Sequence, residues 1–246
     1  MKYIISISGG KDSTACLLYM LERVPKENIL PIFIDTKWEH ELVYKYLNYL
    51  ENELDLKIKR IESLGMFELC KKYKFMPNRV MRFCTRELKI KPFLNWLYEN
   101  FISKNLDFII VEGIRRNESL SRSDTEVFDI QKVKINSNFY YLKKLYPVAY
   151  WSEERVFEFI KSKNLDLNPL YLKGFKRVGC YPCIFETKQS LKLIADDDFY
   201  VKRLRNLENE VSKLRGENVT FFHSSLNSVL HQKSLFAKTP TPEERP

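Results

Sequence analysis

Short apolar runs alternate with longer amphipathic segments along the first two thirds of the chain. The segments that separate the first three runs carry apolar residues at the three-and-four spacing of a helix. Strands that alternate with helices form βαβ units, which build mainly parallel sheets. The pattern therefore predicts an α/β fold with a Rossmann-like parallel sheet flanked by helices. The predicted strands are residues 2–8, 29–35, 56–61 and 106–114.

The remaining third of the chain has a different pattern. The run LYPVAYW (145–151) predicts either a short fifth strand or an extended lead into a helix that has Ser152 as its N-cap. After Cys183 the sequence is charged and helical, and its last eight residues have the composition of a disordered tail. We therefore expect a domain at 1–183, a helical appendage at 184–238 and a disordered tail at 239–246.

Composition narrows the class of protein. The 246 residues suffice for a large domain, no apolar run approaches the roughly 20 residues that a membrane span needs, and the N-terminus has no signal-peptide pattern. We expect a cytoplasmic protein that does not contact membranes. The net charge of +9 favours a polyanionic partner such as nucleic acid. The five cysteines, an odd number, favour a metal or redox role over a disulfide framework.

Polar clusters follow three of the predicted strands. They are SGGKDS, DTKWEHE (35–41) and EGIRRNESLSR (112–122). Because the carboxyl ends of parallel strands meet at one edge, ligands of α/β proteins bind there. Gly9 and Gly10 permit close approach of the backbone, and the following helix directs free N–H groups at the loop. The first cluster therefore predicts an anion site, although its spacing fits neither the kinase-type P-loop nor the dinucleotide fingerprint.

The SGGKDS loop resembles the pyrophosphate loop of the N-type ATP pyrophosphatases, the adenine nucleotide α-hydrolase-like group. The segments DTKWEHE, EGIRRNES and NPLYLKGFKRVGCYPC are similar, in the same order, to segments of the phosphoadenosine phosphosulfate (PAPS) reductase family. This resemblance spans residues 4–185. It implies ATP as the bound nucleotide and Mg²⁺ as the ion that accompanies it.

The resemblance also implies roles for single residues. Lys11, Asp12 and Arg115 are the expected catalytic residues: Lys11 neutralises phosphate charge, Asp12 reaches Mg²⁺ and Arg115 holds phosphate. The alternatives are a plain strand-to-helix turn for the loop, helix capping for Asp35, and solvated side chains for the two arginines. The residues expected to bind the nucleotide are Ser8, Gly9, Gly10, Lys11, Asp12, Ser13, Asp35, Gly113, Arg115 and Arg122.

The clustered cysteines suggest a metal or iron–sulfur site. Cys180 and Cys183 have the C-x-x-C spacing with which two thiolates bind one metal or cluster. Cys84 stands among cations, including Arg82 and Lys89, which favour a thiolate. The resemblance implies that Cys84, Cys180 and Cys183 hold a 4Fe-4S cluster.

Several alternatives remain open at these cysteines. The fourth ligand is either Cys70 or an exogenous sulfide on an open iron. Cys70 lies on a helical pattern, so a buried structural thiol is the alternative interpretation of that residue. Zinc is the alternative metal, because sulfur-rich sites suit both metals, and a redox-active dithiol is a further interpretation. Cys16 has the position of a core residue on the first helix.

Two departures from the family bear on the expected reaction. The APS-type cluster uses adjacent upstream cysteines, whereas Cys84 stands alone. PAPS and APS reductases carry a nucleophilic cysteine near the C-terminus, whereas no cysteine follows Cys183 here. We therefore expect adenylation of a nucleic-acid oxygen, preferably a DNA phosphate, and its replacement by sulfur from a cysteine desulfurase. The chain is similar in this respect to the ATP pyrophosphatase components of DNA phosphorothioation systems. The alternatives are a sulfonucleotide reductase, a tRNA thiolation enzyme and a non-catalytic nucleotide-binding module stapled by zinc.

The expected partners are DNA or tRNA, the desulfurase, and either further subunits of a modification system or a second copy of the chain. Segment 69–83, LCKKYKFMPNRVMRF, interleaves aromatic residues with cations and is predicted to hold the nucleic acid. A solvated helix and loop face is the alternative interpretation of this segment.

Overall fold

Six strands form one sheet within residues 1–222, the part of the chain that the structure, a computed structural model, describes. The strands are β1 (Lys2–Ile7), β2 (Ile29–Asp35), β3 (Lys59–Glu62), β4 (Phe108–Glu112), β5 (Phe128–Ile135) and β6 (Asn138–Leu145). They lie in the order β3-β2-β1-β4-β6-β5. All neighbouring pairs are parallel except β5 and β6, which are antiparallel. The predicted α/β class is confirmed.

Helices connect the strands and continue the chain beyond the sheet. They are α1 (Lys11–Leu21), α2 (Glu41–Glu53), α3 (Met66–Tyr73), α4 (Phe83–Thr85), α5 (Lys91–Asn100), α6 (Glu153–Ser162), α7 (Pro169–Leu172), α8 (Lys188–Ala195) and α9 (Asp198–Arg215). A π-helical segment, Arg86–Ile90, joins α4 to α5. The predicted cap of α6 is confirmed, because the Ser152 hydroxyl accepts a hydrogen bond from the backbone N–H of Arg155 at 3.1 Å. None of these helices combines the length and the apolar composition that crossing a lipid bilayer requires.

The hairpin of β5 and β6 differs from the prediction. Strand β6 ends at Leu145, and the residues that follow it form turns, so a strand at 145–151 is wrong. The hairpin turns at Asn136 and Ser137, which have φ values of 47° and 69°. Two successive residues with positive φ give a two-residue turn whose twist matches that of the strands.

The sheet buries apolar side chains on both of its faces. Consecutive residues of β1 point to opposite faces, so Ile4 and Ile5 belong to two different core clusters, and both are fully buried. The smaller cluster includes Leu97 of α5, whereas the larger one includes Leu17 of α1. Because both faces are covered, the central strands read in the sequence as continuous apolar runs.

Helices α8 and α9 share the larger core with the sheet. Leu191, Ile194, Leu204 and Leu207 are 1% exposed or less and pack in the same cluster as α1 and α2. Both helices lie within the segment that the sequence predicts to be helical. Its division from residues 1–183 as an appendage stays a prediction, and residues 223–246, which include the predicted tail, lie outside the described residues.

Candidate active site

A cavity of about 330 Å³ lies at the carboxyl edge of the sheet. The chain passes from β1 to β2 on one side and later returns to place β4 on the other side of β1. The loops after β1 and β4 therefore diverge, which creates the crevice where open α/β sheets bind ligands. The predicted residues on its wall are Ser8, Gly10, Lys11, Asp12, Ser13, Gly113, Arg122, Cys180 and Cys183.

The loop between β1 and α1 is held in shape by its own hydrogen bonds. Gly9 has a φ of +74°, and a Cβ atom there would lie 3.0 Å from Val43. The Ser13 hydroxyl accepts from the N–H of Ser8 at 3.1 Å and donates to the carbonyl of Gly10 at 2.9 Å. No side chain caps α1 at Gly10. Apart from the Lys11 N–H, which donates to the Tyr171 hydroxyl, the N–H groups of the first turn can meet an anion.

The three predicted catalytic residues form one charged cluster. The Lys11 ammonium is 3.0 Å from a Glu153 carboxylate oxygen and 3.7 Å from Asp12. The Arg115 guanidinium donates through Nε to the other oxygen of Asp12. Arg115 is 4% exposed and lies on the wall of a neighbouring cavity, not of the main one. The structure therefore places Arg115 behind Asp12, where it orients that carboxylate.

Arg122 and Arg177 are, within residues 1–222, two of the four cationic side chains on the cavity wall, beside Lys11 and Lys89. Both pair with Glu118, and Arg177 does so at 3.6 Å. Burial lowers the pKa of Arg122, and the positive charge of Arg177 lowers it further. The wall also carries the acidic side chains of Asp12, Glu112, Glu118 and Glu186, and Arg122 and Arg177 share one of them. Guanidinium groups are well suited to hold phosphate oxygens through paired hydrogen bonds. Arg177, three residues before the C-x-x-C pair, is not among the site residues predicted from the sequence.

Asp35 does not reach this cavity. Its Oδ1 accepts from the Tyr44 hydroxyl at 2.8 Å and from the N–H of Lys37 at 2.7 Å. Lys37 has a φ of 54°, so the carboxylate stabilises a turn at the end of β2. The structure thus gives Asp35 a role close to the capping alternative, and it lies apart from the residues that line the main cavity.

Cys180 lies in a buried polar network at the other end of the cavity. Its Sγ is 3.6 Å from the Thr36 hydroxyl and 3.7 Å from a Glu39 carboxylate oxygen. Burial raises the pKa of Cys180 to about 11, and the Lys89 ammonium opposes that rise. Burial also raises the pKa of Glu39, which is 4% exposed. Cys183 shares the cavity wall, and burial raises its pKa as well.

Cys70 has the position of the buried structural thiol, whereas Cys84 is partly buried. Burial raises the pKa of Cys84 and outweighs the lowering by Lys89, which is opposite in direction to the expected thiolate preference. Cys84 is near enough to Cys180 for their charges to interact, but it does not line the cavity. Cys70 is fully buried, and burial raises its pKa to about 12. Cys16 is fully buried, as predicted for a core residue.

The cysteines do not form a metal site in this arrangement. Among residues 1–222, no three His, Cys, Asp or Glu side chains are placed to hold one metal ion. The neighbours of Cys180 include a hydroxyl, a carboxylate and an ammonium group, besides the thiols of Cys84 and Cys183. The structure therefore does not show a site for the 4Fe-4S cluster, or for its zinc alternative, expected at Cys84, Cys180 and Cys183.

Fold and site together define an α/β nucleotide-binding protein with its phosphate loop between the first strand and the first helix. Residues 2–186 match the phosphoadenosine phosphosulfate reductase domain. This match covers most of the chain, and the protein belongs to that family.

Two relatives are similar in sequence to about three quarters of this chain. It is 32% identical over 182 residues to the uncharacterized protein MJ0066 of Methanocaldococcus jannaschii, covering 73% of this chain and 35% of the relative. The chain thus spans about a third of that protein. It is 27% identical to an adenosine 5'-phosphosulfate reductase of Staphylococcus epidermidis, over 76% of this chain and 73% of the relative.

A solved structure shows the same fold. The phosphoadenylyl-sulfate reductase of Candida auris, in its phosphate complex, superposes with a TM-score of 0.55 at 16% identity. The superposition covers 74% of this chain and 83% of that one.

Proposed function

We propose that the protein is an ATP pyrophosphatase that activates an oxygen of a nucleic acid, preferably a DNA phosphate, for replacement by sulfur. One observation carries this proposal: the phosphate loop and the Cys180–Cys183 pair line the same cavity. A reaction that joins nucleotide activation to sulfur transfer requires both groups within reach of one substrate atom. The absence of any cysteine after Cys183 favours this reaction over sulfonucleotide reduction.

The phosphate loop supports the first step. A substrate oxygen attacks the α-phosphorus of ATP, the bond from that phosphorus to its bridging oxygen breaks, and pyrophosphate leaves. The N–H groups of the first turn of α1, together with Lys11 and Arg122, stabilise the charge of the leaving group. The ion pair with Glu153 holds the Lys11 side chain in one orientation.

The cavity also offers oxygen ligands for Mg²⁺. This ion binds nucleotide phosphates with only one or two protein carboxylates. The carboxylates of Asp12 and Glu112 and the hydroxyl of Ser13 lie on the wall and would hold it. When bound with ATP, Mg²⁺ neutralises charge on the departing pyrophosphate.

The cysteine pair supports the second step. We assign Cys180 as the carrier of a persulfide, delivered by a cysteine desulfurase. Its terminal sulfur attacks the activated atom, and AMP leaves with the substrate oxygen. Cys183 then attacks the Cys180 sulfur and releases the thiolated product, leaving a Cys180–Cys183 disulfide that an external dithiol must reduce.

Two measurements test this proposal: the release of pyrophosphate and the mass of the nucleic-acid product. Purified protein is given ATP, DNA or tRNA, a desulfurase with cysteine, and a dithiol. We expect pyrophosphate release and a sulfur-for-oxygen mass shift in the nuclease-digested nucleic acid. Asp12→Asn should abolish both, whereas Cys180→Ser should abolish only the mass shift. Cys84→Ser is the matched control, because Cys84 lies off the cavity wall.

One result would refute the proposed reaction, and another would replace the persulfide interpretation. Wild-type protein that gives neither pyrophosphate nor thiolated product with any of these nucleic acids would refute the proposal. Iron, sulfide and zinc analysis of anaerobically purified protein is the accompanying control. Stoichiometric metal that Cys84→Ser abolishes would restore the cluster or zinc interpretation in place of the persulfide.

A sulfonucleotide reductase is the second candidate, because two thiols face a nucleotide cavity and a relative carries that name. In that reaction a Cys180 thiolate attacks the sulfur of adenosine phosphosulfate, and AMP leaves. Cys183 then displaces sulfite and forms the disulfide. Sulfite release from this substrate or from PAPS, in the absence of pyrophosphate chemistry, would establish reduction instead.

A further inference from the structure

A second cavity, of about 650 Å³, lies between α3, the start of α4 and the end of α9. Its volume is within the range of small-molecule sites. Three aromatic rings and three guanidinium groups form most of its wall. We name it the aromatic–arginine groove, and its residues are Tyr73, Phe75, Arg82, Phe83, Arg86 and Arg215.

The aromatic side of the groove is a partly exposed stack. The rings of Tyr73 and Phe83 are nearly parallel, with centroids 4.6 Å apart and an angle of 14° between their planes. Tyr73 is 39% exposed. A flat ring can extend such a stack, and nucleic-acid bases stack on aromatic side chains regardless of sequence.

The guanidinium groups give the groove a surplus of positive charge. Arg86 pairs with Glu87 at 3.0 Å, and Arg215 pairs with Glu217. Arg82 has no carboxylate partner within residues 1–222. Three cations with two carboxylates favour an anionic occupant over a neutral one.

Arg82 also connects the groove to the nucleotide cavity. Its guanidinium lies 4.8 Å from the ring centroid of Phe185, which lines that cavity. The lowered pKa of Arg122 agrees with this placement, since burial and Arg177 lower it most and the charge of Arg82 adds to their effect. The groove and the nucleotide cavity therefore adjoin at Arg82 and Phe185.

We propose that the aromatic–arginine groove binds an unpaired nucleotide of a single-stranded nucleic acid. The base stacks on the Tyr73–Phe83 pair, and the flanking phosphates contact Arg82 and Arg86. In a duplex both faces of each base are covered by neighbouring bases, so a base must leave the helix before it can join an aromatic stack. This inference rests on the proposed function. It adds that the nucleic-acid substrate is single-stranded where it binds and that the aromatic–arginine groove orients it.

Fluorescence anisotropy with labelled 20-nucleotide probes tests the groove. The probes are single-stranded DNA, single-stranded RNA, the matching duplex and an acidic peptide. We expect single strands to bind more tightly than the duplex or the peptide. Tyr73→Leu should weaken single-strand binding roughly tenfold, whereas Tyr73→Trp should preserve it. Arg82→Gln should reduce the slope of the logarithm of affinity against the logarithm of salt concentration by about one, because one phosphate contact is lost.

Two matched controls isolate the groove from general effects of charge and ring loss. Arg23→Gln removes an exposed arginine just beyond the C-terminal end of α1, and Tyr141→Leu removes a tyrosine that is 68% exposed on the β5–β6 hairpin. Neither should change binding. Circular dichroism melting of every variant confirms folding.

The outcomes separate this proposal from the proposed function. Equal binding by Tyr73→Leu and wild type, tighter binding of the duplex or the acidic peptide, or no binding of nucleic acid would overturn the groove as a single-strand site. If wild-type protein binds single strands through the groove but releases no pyrophosphate, the groove stands and the proposed reaction fails. If pyrophosphate release depends on nucleic acid but the groove variants bind normally, the reaction stands and the groove fails.

Discussion

The backbone of Gly113 rests against the backbone of Asp12. A Cβ atom at Gly113 would lie 2.4 Å from the carbonyl oxygen of Asp12 and 2.8 Å from the N–H nitrogen of Ser13. No side-chain movement can relieve this overlap, because the atoms in contact belong to the first turn of α1. The end of β4 and the phosphate loop are thus held at a distance that only glycine permits.

Gly113→Ala should therefore damage stability and nucleotide binding together. We expect a loss of about 2 kcal/mol in the free energy of unfolding, because the added methyl group forces the backbone apart. Urea denaturation and calorimetric titration with an ATP analogue measure the two effects. Gly179→Ala is the control for stability, since a Cβ there meets no atom within 4 Å. Wild-type stability in Gly113→Ala would contradict the close contact.

The Asp12–Arg115 pair predicts strong coupling between two substitutions. Asp12→Ala leaves the buried Arg115 guanidinium without its carboxylate, which should cost about 3 kcal/mol of unfolding free energy. Asp12→Asn should cost less, because an amide oxygen can still accept from Arg115. In Asp12→Ala/Arg115→Met the unpaired charge is gone, so the double variant should be more stable than Asp12→Ala. Additive losses in urea denaturation would show that the pair does not interact.

The central strands and the phosphate loop could be predicted because their signals are local. A strand buried on both faces is a continuous apolar run, as in β1 and β2. The β5–β6 hairpin has no such run, because Phe128, Ile130 and Phe139 are about half exposed and lysines stand between them. Its pairing is set by the tight turn at Asn136 and Ser137, which the composition of the segment does not reveal.

The long-range contacts of the site could not be predicted. The motif placed Arg115 near the phosphates, but its burial behind Asp12 depends on how the loop after β4 packs against α1. Cys180 contacts Glu39, which lies 141 positions earlier in the chain. Nearby cations in the sequence suggested a thiolate at Cys84, whereas burial of the side chain decides the sign of its pKa shift.

The five thiols should differ sharply in reactivity. Cys16 and Cys70 are fully buried, and burial raises their pKa values, so neither forms the thiolate that reacts with Ellman's reagent. We expect at most three reactive thiols in native protein and all five in denaturant. Alkylation followed by peptide mass spectrometry identifies the residues. Native labelling of Cys16 or Cys70 would contradict the described core.

Nucleotide should protect some of these thiols selectively. Cys180 and Cys183 line the cavity, whereas Cys84 does not. An ATP analogue with Mg²⁺ should therefore slow alkylation of the first two several-fold and leave Cys84 unchanged. Lys11→Gln, which weakens nucleotide binding, should lose the protection and thereby serves as the control. Equal protection of all three would place the nucleotide elsewhere.

His40 predicts a loss of stability in mild acid. The imidazole is 2% exposed, its Nδ1 accepts from the N–H of Leu42 at 3.0 Å, and its ring stacks on Tyr200 at 4.6 Å. Burial lowers its pKa below 6.5, and the positive charge of Lys173 lowers it further, while Asp197 opposes the shift. The unfolded chain therefore takes up a proton at His40 more readily than the folded protein does.

The sign of this effect follows from proton linkage. The contribution of His40 to stability is complete above pH 6.5 and decreases as the pH falls below that value, because protonation favours the unfolded chain. His40→Asn keeps an oxygen that can cap α2 but cannot titrate, so its unfolding free energy should fall less between pH 7 and pH 5. Urea denaturation at each pH measures the slope. Asp197→Asn should steepen it, because this substitution removes a charge that opposes the lowering of the His40 pKa. If His40→Asn keeps the full wild-type slope, another group is responsible for the acid sensitivity.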